Sequence, residues 1–197
     1  MKKKEIRALP ESRPGTRRFL EIIRYGTPGA RSKVYLQAGL HADEAPGYVV
    51  LFHLRKLLDQ AEEQGGIKGE ILVVPAANPI GLSQWRDETL RGRFDLANSI
   101  NFNRNHQDLA DSIAEKIEHR LSGDPDKNIE LIRDVTRELL EVTTPVDEAE
   151  SLKLQLYSLS HDSDIVLDLH CDLEALLHVY LGTPLWPDGT DLAAYLG

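Results

Sequence analysis

The chain has 197 residues, 41% of them hydrophobic and 28% charged, the composition of an ordinary globular domain long enough to bury one sizeable core. Its formal net charge of -9 argues against a nucleic-acid or anionic-membrane partner, since both need a positive footprint; Lys2-Lys3-Lys4 is a local exception that reads as a solvated terminus. No apolar segment follows those lysines, no run approaches the about 18 apolar residues of a membrane span, and the single cysteine, Cys171, excludes an intramolecular disulfide, so a cytoplasmic location is the expectation.

Residues 1–16 are charged and carry Pro10, Pro14 and Gly15, which reads as a loosely held, flexible leading segment ahead of one domain from residue 17 onward. Arg18–Tyr25 alternates polar and apolar residues and predicts an edge strand. Gly26-Thr27-Pro28-Gly29 then turns the chain into a buried strand from Val34 to Leu40, with Gly39 permitting a tight exit. His41 and Glu44 follow at the strand end, where open α/β sheets bind ligands. If 41–44 forms one helical turn, positions i and i+3 share a face and an imidazole and a carboxylate converge. Such a pair suits a zinc ion, with a third ligand drawn from elsewhere; a lone His-x-x-Glu equally describes a surface pair or a helix start.

Pro46 suits a first helical turn, and apolar residues from Val49 to Leu58 recur at helical spacing until Gly65-Gly66. His53, within that helix, reads as a packed or rim residue. Ile71-Leu72-Val73-Val74 predicts a second buried strand, and strand, helix, strand in this order gives a right-handed crossover and a largely parallel sheet. The loop from Pro75 to Gly81 leaves the same edge as His41. From Leu82 to Gln107 periodicity disappears, and the stretch carries Arg86, Arg91, Arg93 and Arg104 along with Asn98, Asn101, Asn103 and Asn105. This is either a donor-rich loop for a carboxylate or a solvated loop with Asn in turns.

Residues 108–122, 127–142 and 147–160 have helical spacing and read as scaffold, with His106, His119 and His161 structural or solvated. Asp164–Leu169 predicts a third buried strand running into His170, which completes the His, Glu, His set of a catalytic zinc. Asp168 is placed to orient a liganding ring, and Cys171 reads as a small buried thiol. Leu176–Leu181 predicts a further strand. The fold class expected is α/β, a mostly parallel mixed sheet flanked by helices.

Taken together, Gly39-Leu40-His41-Ala42-Asp43-Glu44, Asn78-Pro79-Ile80-Gly81, Gly92-Arg93-Phe94-Asp95 leading to Asn101-Phe102-Asn103-Arg104, and Leu167-Asp168-Leu169-His170-Cys171-Asp172 resemble the succinylglutamate desuccinylase and aspartoacylase family, a branch of the zinc carboxypeptidase superfamily. The likeness runs from about residue 34 to 183, and its specificity lies in the order and spacing of the four motifs. It implies a zinc-carboxypeptidase-like fold and one Zn2+ held by His41, Glu44 and His170. Asn103 and Arg104 match the pair that holds the substrate carboxylate. An arginine that polarises the scissile carbonyl is also implied, with Arg93 the first choice and Arg86 the second.

The implied function is zinc-dependent amide hydrolysis, a deacylase acting on a small N-acyl amino acid or related carboxylate-bearing molecule. A zinc carboxypeptidase acting on peptides is the alternative, and a homo-oligomer is compatible with either. In this family the general base is a Glu well beyond the third ligand, whereas the chain ends at Gly197 and neither Asp172 nor Glu174 fits that place. The expectation is therefore that 17–197 is the N-terminal portion of the catalytic domain, with a fold incomplete at the C-terminus. A metal-binding unit without turnover is the third reading.

Overall fold

Side chains that alternate across consecutive strand residues give the central sheet two apolar faces, each covered by a helix. In the computed structural model, which describes residues 2–172 and 174–196, the strands are β1 (Lys3–Ala8), β2 (Phe19–Gly26), β3 (Lys33–Ala38), β4 (Glu70–Val74) and β7 (Ile165–Leu169). They lie in the order β1-β2-β4-β3-β7. The sheet is mixed: β1–β2 and β2–β4 are antiparallel, and β4, β3 and β7 run parallel. Val34 stands opposite both Ile71 and Ile165, so β3 is the central member of the parallel group.

Helix α1 (Ala45–Glu63) covers one face, where Leu51 and Leu58 pack with Ile23, Tyr25, Leu36, Ala38 and Val73. Helix α5 (Glu148–Ser160) covers the other, burying Leu152, Leu156 and Leu159 with Leu20, Tyr35 and Leu72. Helices α3 (Ala110–Ile117) and α4 (Pro125–Val142) pack outside α5, joined to it through Leu109, Leu140 and Leu154. Asp124 caps α4 by accepting from the amides of Asp126 and Lys127, which starts that helix two residues before its periodicity does.

Several expectations are corrected. Residues 3–8, in the segment expected to be loosely held, form β1, with Ile6 opposite Glu21. Because β1 occupies its outer side, β2 is an interior strand and not the edge expected of Arg18–Tyr25. Leu176–Leu181 forms no strand: Leu176 and Tyr180 are 90% and 88% exposed, and an apolar run becomes a strand only where a neighbour takes its backbone hydrogen bonds. Within the irregular stretch, Trp85–Arg86 (β5) and Thr89–Leu90 (β6) form a small hairpin turned by Asp87 and Glu88 at positive φ. His53, His106 and His119 are exposed, and His161 is half-buried with Nδ1 on the Ser158 carbonyl. Short helices α2 (Pro79–Leu82) and α6 (Thr190–Leu196) and a 3-10 turn at Thr183–Leu185 are the remaining elements among the described residues; Gly197 lies outside them.

Candidate metal centre

Three loops leave the carboxyl ends of the parallel strands and meet at one point. After β3, Gly39 turns the chain with φ of 74°, and the Asn78 side chain ties the turn to the loop after β4 by donating to the Leu40 carbonyl at 2.8 Å. The Ala42 amide donates to the Gly92 carbonyl at 3.0 Å, and the Glu44 amide to the His41 carbonyl at 3.1 Å. Residues 41–44 thus form a turn that brings both side chains to one side, and α1 starts immediately after it. Glu44 is the N-cap of α1, yet its side chain caps nothing in that helix. The usual duty of an N-cap side chain is to take a first-turn amide; here the carboxylate is turned into the site.

The centre is a carboxylate between two imidazoles. Glu44 Oε1 lies 2.9 Å from His41 Nδ1, and Oε2 lies 2.9 Å from His170 Nδ1. His170 follows β7 by one residue, and the rungs between β3 and β7 end at Ala38 opposite Leu169, so the sheet itself holds the two histidines side by side. Their ring centroids are 5.0 Å apart at 74°. One ligand atom from each of His41, Glu44 and His170 falls within 4.8 Å of the others, and His41 and Glu44 are both 95% buried, being 5% exposed.

The outer nitrogens are held as well. His41 Nε2 is 2.8 Å from Asn101 Oδ1 and His170 Nε2 is 2.8 Å from Asp168 Oδ2. Asn101 Oδ1 and Asp168 Oδ2 are both acceptors, so each Nε2 donates in the tautomer that carries its hydrogen there, and that tautomer leaves an Nδ1 lone pair facing Glu44. Two lone pairs and two carboxylate oxygens then face one another at 2.9 Å, an arrangement stable only with a proton or a cation between them. Two imidazole nitrogens and a carboxylate are a donor set that zinc takes, and rings fixed from behind in this way are typical of metal ligands.

Charge favours an ionised Glu44 beside a His170 that binds a proton more readily than a free imidazole. Burial acts to raise the Glu44 pKa, but the Cys171 amide at 2.8 Å and the two histidines outweigh it and hold the carboxyl below its ordinary value. The hydrogen bond to Asp168 lifts His170 above the usual histidine range against the opposing effect of burial. Arg93 places Nη2 2.6 Å from Glu44 Oε1 with 42% of its side chain exposed.

Arg93, His41, Glu44 and His170 are therefore together, and Asp168 stands where a ring-orienting carboxylate was expected. Arg86 stays apart on the β5–β6 hairpin, with its side chain 73% exposed and Asp87 3.7 Å away. Asn103 joins the cluster through Asn101, its amide donating to Asn101 Oδ1 at 2.8 Å, while Arg104 Nη1 donates to the Asn103 carbonyl at 2.6 Å. Cys171 is half-buried, and it serves the site through its backbone. Sequence reasoning missed that amide, the contact of Asn101 with His41, and Gln84, whose side chain gathers the loop by donating to the carbonyls of Arg91 and Phe94. Only Asn101 carried a signal, since Asn two residues ahead of an amide invites a side-chain turn.

Comparison with known proteins places this geometry. A protein from Shewanella amazonensis SB2B assigned to the succinylglutamate desuccinylase/aspartoacylase family superposes with a TM-score of 0.76 at 32% identity, over 89% of this chain and 48% of that one. A second, from Shewanella frigidimarina NCIMB 400, gives 0.76 at 25% identity over 90% and 48%. An aspartoacylase family protein from Mesorhizobium loti shares the fold alone, with a TM-score of 0.55 at 15% identity over 98% and 50%. The chain spans about half the length of these relatives, and a search of curated proteins found no match. The family model for the succinylglutamate desuccinylase/aspartoacylase catalytic domain matches residues 30–196, and the chain belongs to that family.

Proposed function

We propose that this domain belongs to a zinc-dependent amide hydrolase that removes the acyl group from a small N-acyl amino acid or a related carboxylate-bearing molecule, with one zinc ion held by His41, Glu44 and His170. The observation that carries the reading is the convergence of two imidazole Nδ1 atoms on one buried carboxylate. Bound there, zinc supplies Lewis acidity toward a carbonyl and makes water acidic enough to attack near neutral pH.

The chain's own groups divide the remaining work. Asn101 and Asp168 keep both Nδ1 atoms aimed inward. Arg93 brings a half-exposed guanidinium to the rim of the centre, where it can meet negative charge developing on a carbonyl oxygen. Asn103 and Arg104, on the segment tied to His41, are assigned the substrate carboxylate, for which a guanidinium offers a two-pronged grip. Glu44 faces both rings and Asp168 holds one, so neither is assigned the role of proton acceptor.

The test is a zinc-loaded protein assayed against N-acyl amino acids and against short peptides with a free C-terminus. Deacylation is expected, with His41→Ala and His170→Ala each losing both zinc and turnover. Unchanged zinc stoichiometry in both variants overturns the metal centre. Peptide turnover without deacylation moves the substrate class to peptides, and zinc binding without turnover of either supports a metal-binding unit.

A further inference from the structure

Asn101 makes two contacts with one atom. Its Oδ1 lies 2.8 Å from His41 Nε2 and also accepts the Asn103 amide at 2.8 Å. A backbone N–H can only donate, so the atom facing Asn103 is the carbonyl oxygen and the amide cannot be flipped without losing that bond. A carbonyl oxygen has two lone pairs, and here one goes to the ring and the other to the backbone.

We propose that Asn101 is a positioning residue that couples filling of the metal centre to ordering of the Asn103–Arg104 segment, by sharing its single side-chain oxygen between His41 and the Asn103 amide. The inference rests on the metal-dependent reading above. It differs from the arrangement at the other ring, where Asp168 holds His170 with a charged oxygen and no second segment is tied in by that contact.

The surroundings make Asn101 a firm anchor. It pairs with Phe94 in an isolated antiparallel bridge, flanked by hydrogen bonds from the Asp95 amide to the Ile100 carbonyl at 2.9 Å and from the Phe102 amide to the Arg93 carbonyl at 3.1 Å. Phe102, the next residue, is 1% exposed. The strand-like clasp thereby carries Arg93 onto Glu44 on one side and Asn101 onto His41 on the other, and the chain leaves it directly into Asn103 and Arg104. A cation that fixes the His41 ring also fixes the oxygen that receives the Asn103 amide, and by linkage an ordered segment favours the filled site by the same factor.

The experiment measures zinc dissociation constants by chelator competition, and hydrogen exchange of the Asn103 amide with and without zinc. It uses the wild-type chain, Asn101→Leu and Asn101→Asp, with circular dichroism as the check on folding. Asn101→Leu is expected to weaken zinc about 10–100-fold. Asn101→Asp, which keeps an acceptor oxygen, is expected to bind zinc at least as tightly as wild type. In the wild type zinc should slow exchange of the Asn103 amide, and in Asn101→Leu that slowing should vanish.

The coupling is overturned if Asn101→Leu binds zinc within about twofold of wild type, if both variants lose affinity equally, or if wild-type Asn103 exchange is blind to zinc. Should Asn101→Leu fail to fold, the Asn101→Asp affinity and the wild-type exchange still decide. A wild-type chain that binds no zinc removes the metal-dependent reading and the inference with it. Normal zinc binding by Asn101→Leu beside its loss in His41→Ala overturns the inference alone.

Discussion

Gly39 occupies the one position at the site where backbone and space both exclude a side chain. Its φ is 74°, and a Cβ there would lie 2.2 Å from the Tyr48 hydroxyl oxygen, the group that donates to the Ala42 carbonyl. Gly39→Ala is expected to cost about 2–5 kcal/mol, the sum of a left-handed backbone penalty and overpacking, and to weaken zinc binding because the His41 turn moves. Gly29 also has positive φ, 77°, but nothing lies within 4 Å of its Cβ position; Gly29→Ala is expected to cost only about 1–2 kcal/mol and leave zinc binding intact. Urea midpoints and zinc titrations of the two variants check the contrast. At this scale His41, Glu44 and His170 were legible because strand-end position and residue type coincide. Which of Arg93 and Arg86 lies beside Glu44 was not legible from spacing, since only the tertiary path of the loop through Gln84 and Gly92 turns one inward and leaves the other on the hairpin.

At the scale of elements, the parallel strands that carry the two histidines are also fastened at their far ends. Asp164 Oδ2 accepts the Lys33 amide at 2.6 Å and Oδ1 accepts Arg133 Nη2 at 2.7 Å, while the Asp164 amide donates to the Lys33 carbonyl at 2.8 Å. Burial raises this carboxyl's pKa, but the Lys33 amide and Arg133 outweigh it and hold it below the usual aspartate value. A depressed carboxyl stabilises fully above its unfolded pKa of about 4 and loses that contribution as pH falls through the folded pKa. Asp164→Ala is accordingly expected to cost about 1–3 kcal/mol at pH 7, with the gap from wild type shrinking below about pH 4; denaturant midpoints at pH 7 and pH 3 measure it. Strands β3, β4 and β7 and the three long helices were legible from apolar period. The placement of β2 was not, because alternation reports one solvated face as readily as a polar pairing partner, and β1 sits in a charged stretch whose strand character comes from its pairing with β2.

For the whole molecule, a ligand that binds the folded chain and not the unfolded one stabilises it by mass action. At a free zinc concentration about 100 times the dissociation constant the gain is about 2.7 kcal/mol, which for a chain of this size corresponds to a rise in Tm of roughly 5–10 °C. A chelator should reverse the shift, and His41→Ala should abolish it; thermal scans with and without zinc provide the measurement.

The register that sets His41 beside His170 has a consequence for how the protein is made and how long it lasts. The contact between Lys33 and Asp164 at the start of those rungs joins residues 131 apart in the chain, and the Glu44–His170 contact spans 126. Closing so large a loop carries an entropic charge that local contacts do not, and the metal centre does not exist until the β3–β7 rungs have formed. A cation that binds only after the folding barrier has been crossed cannot hasten folding. Such a cation deepens the well behind the barrier, and under the proposed zinc reading its stabilisation is expected to appear as a longer native lifetime.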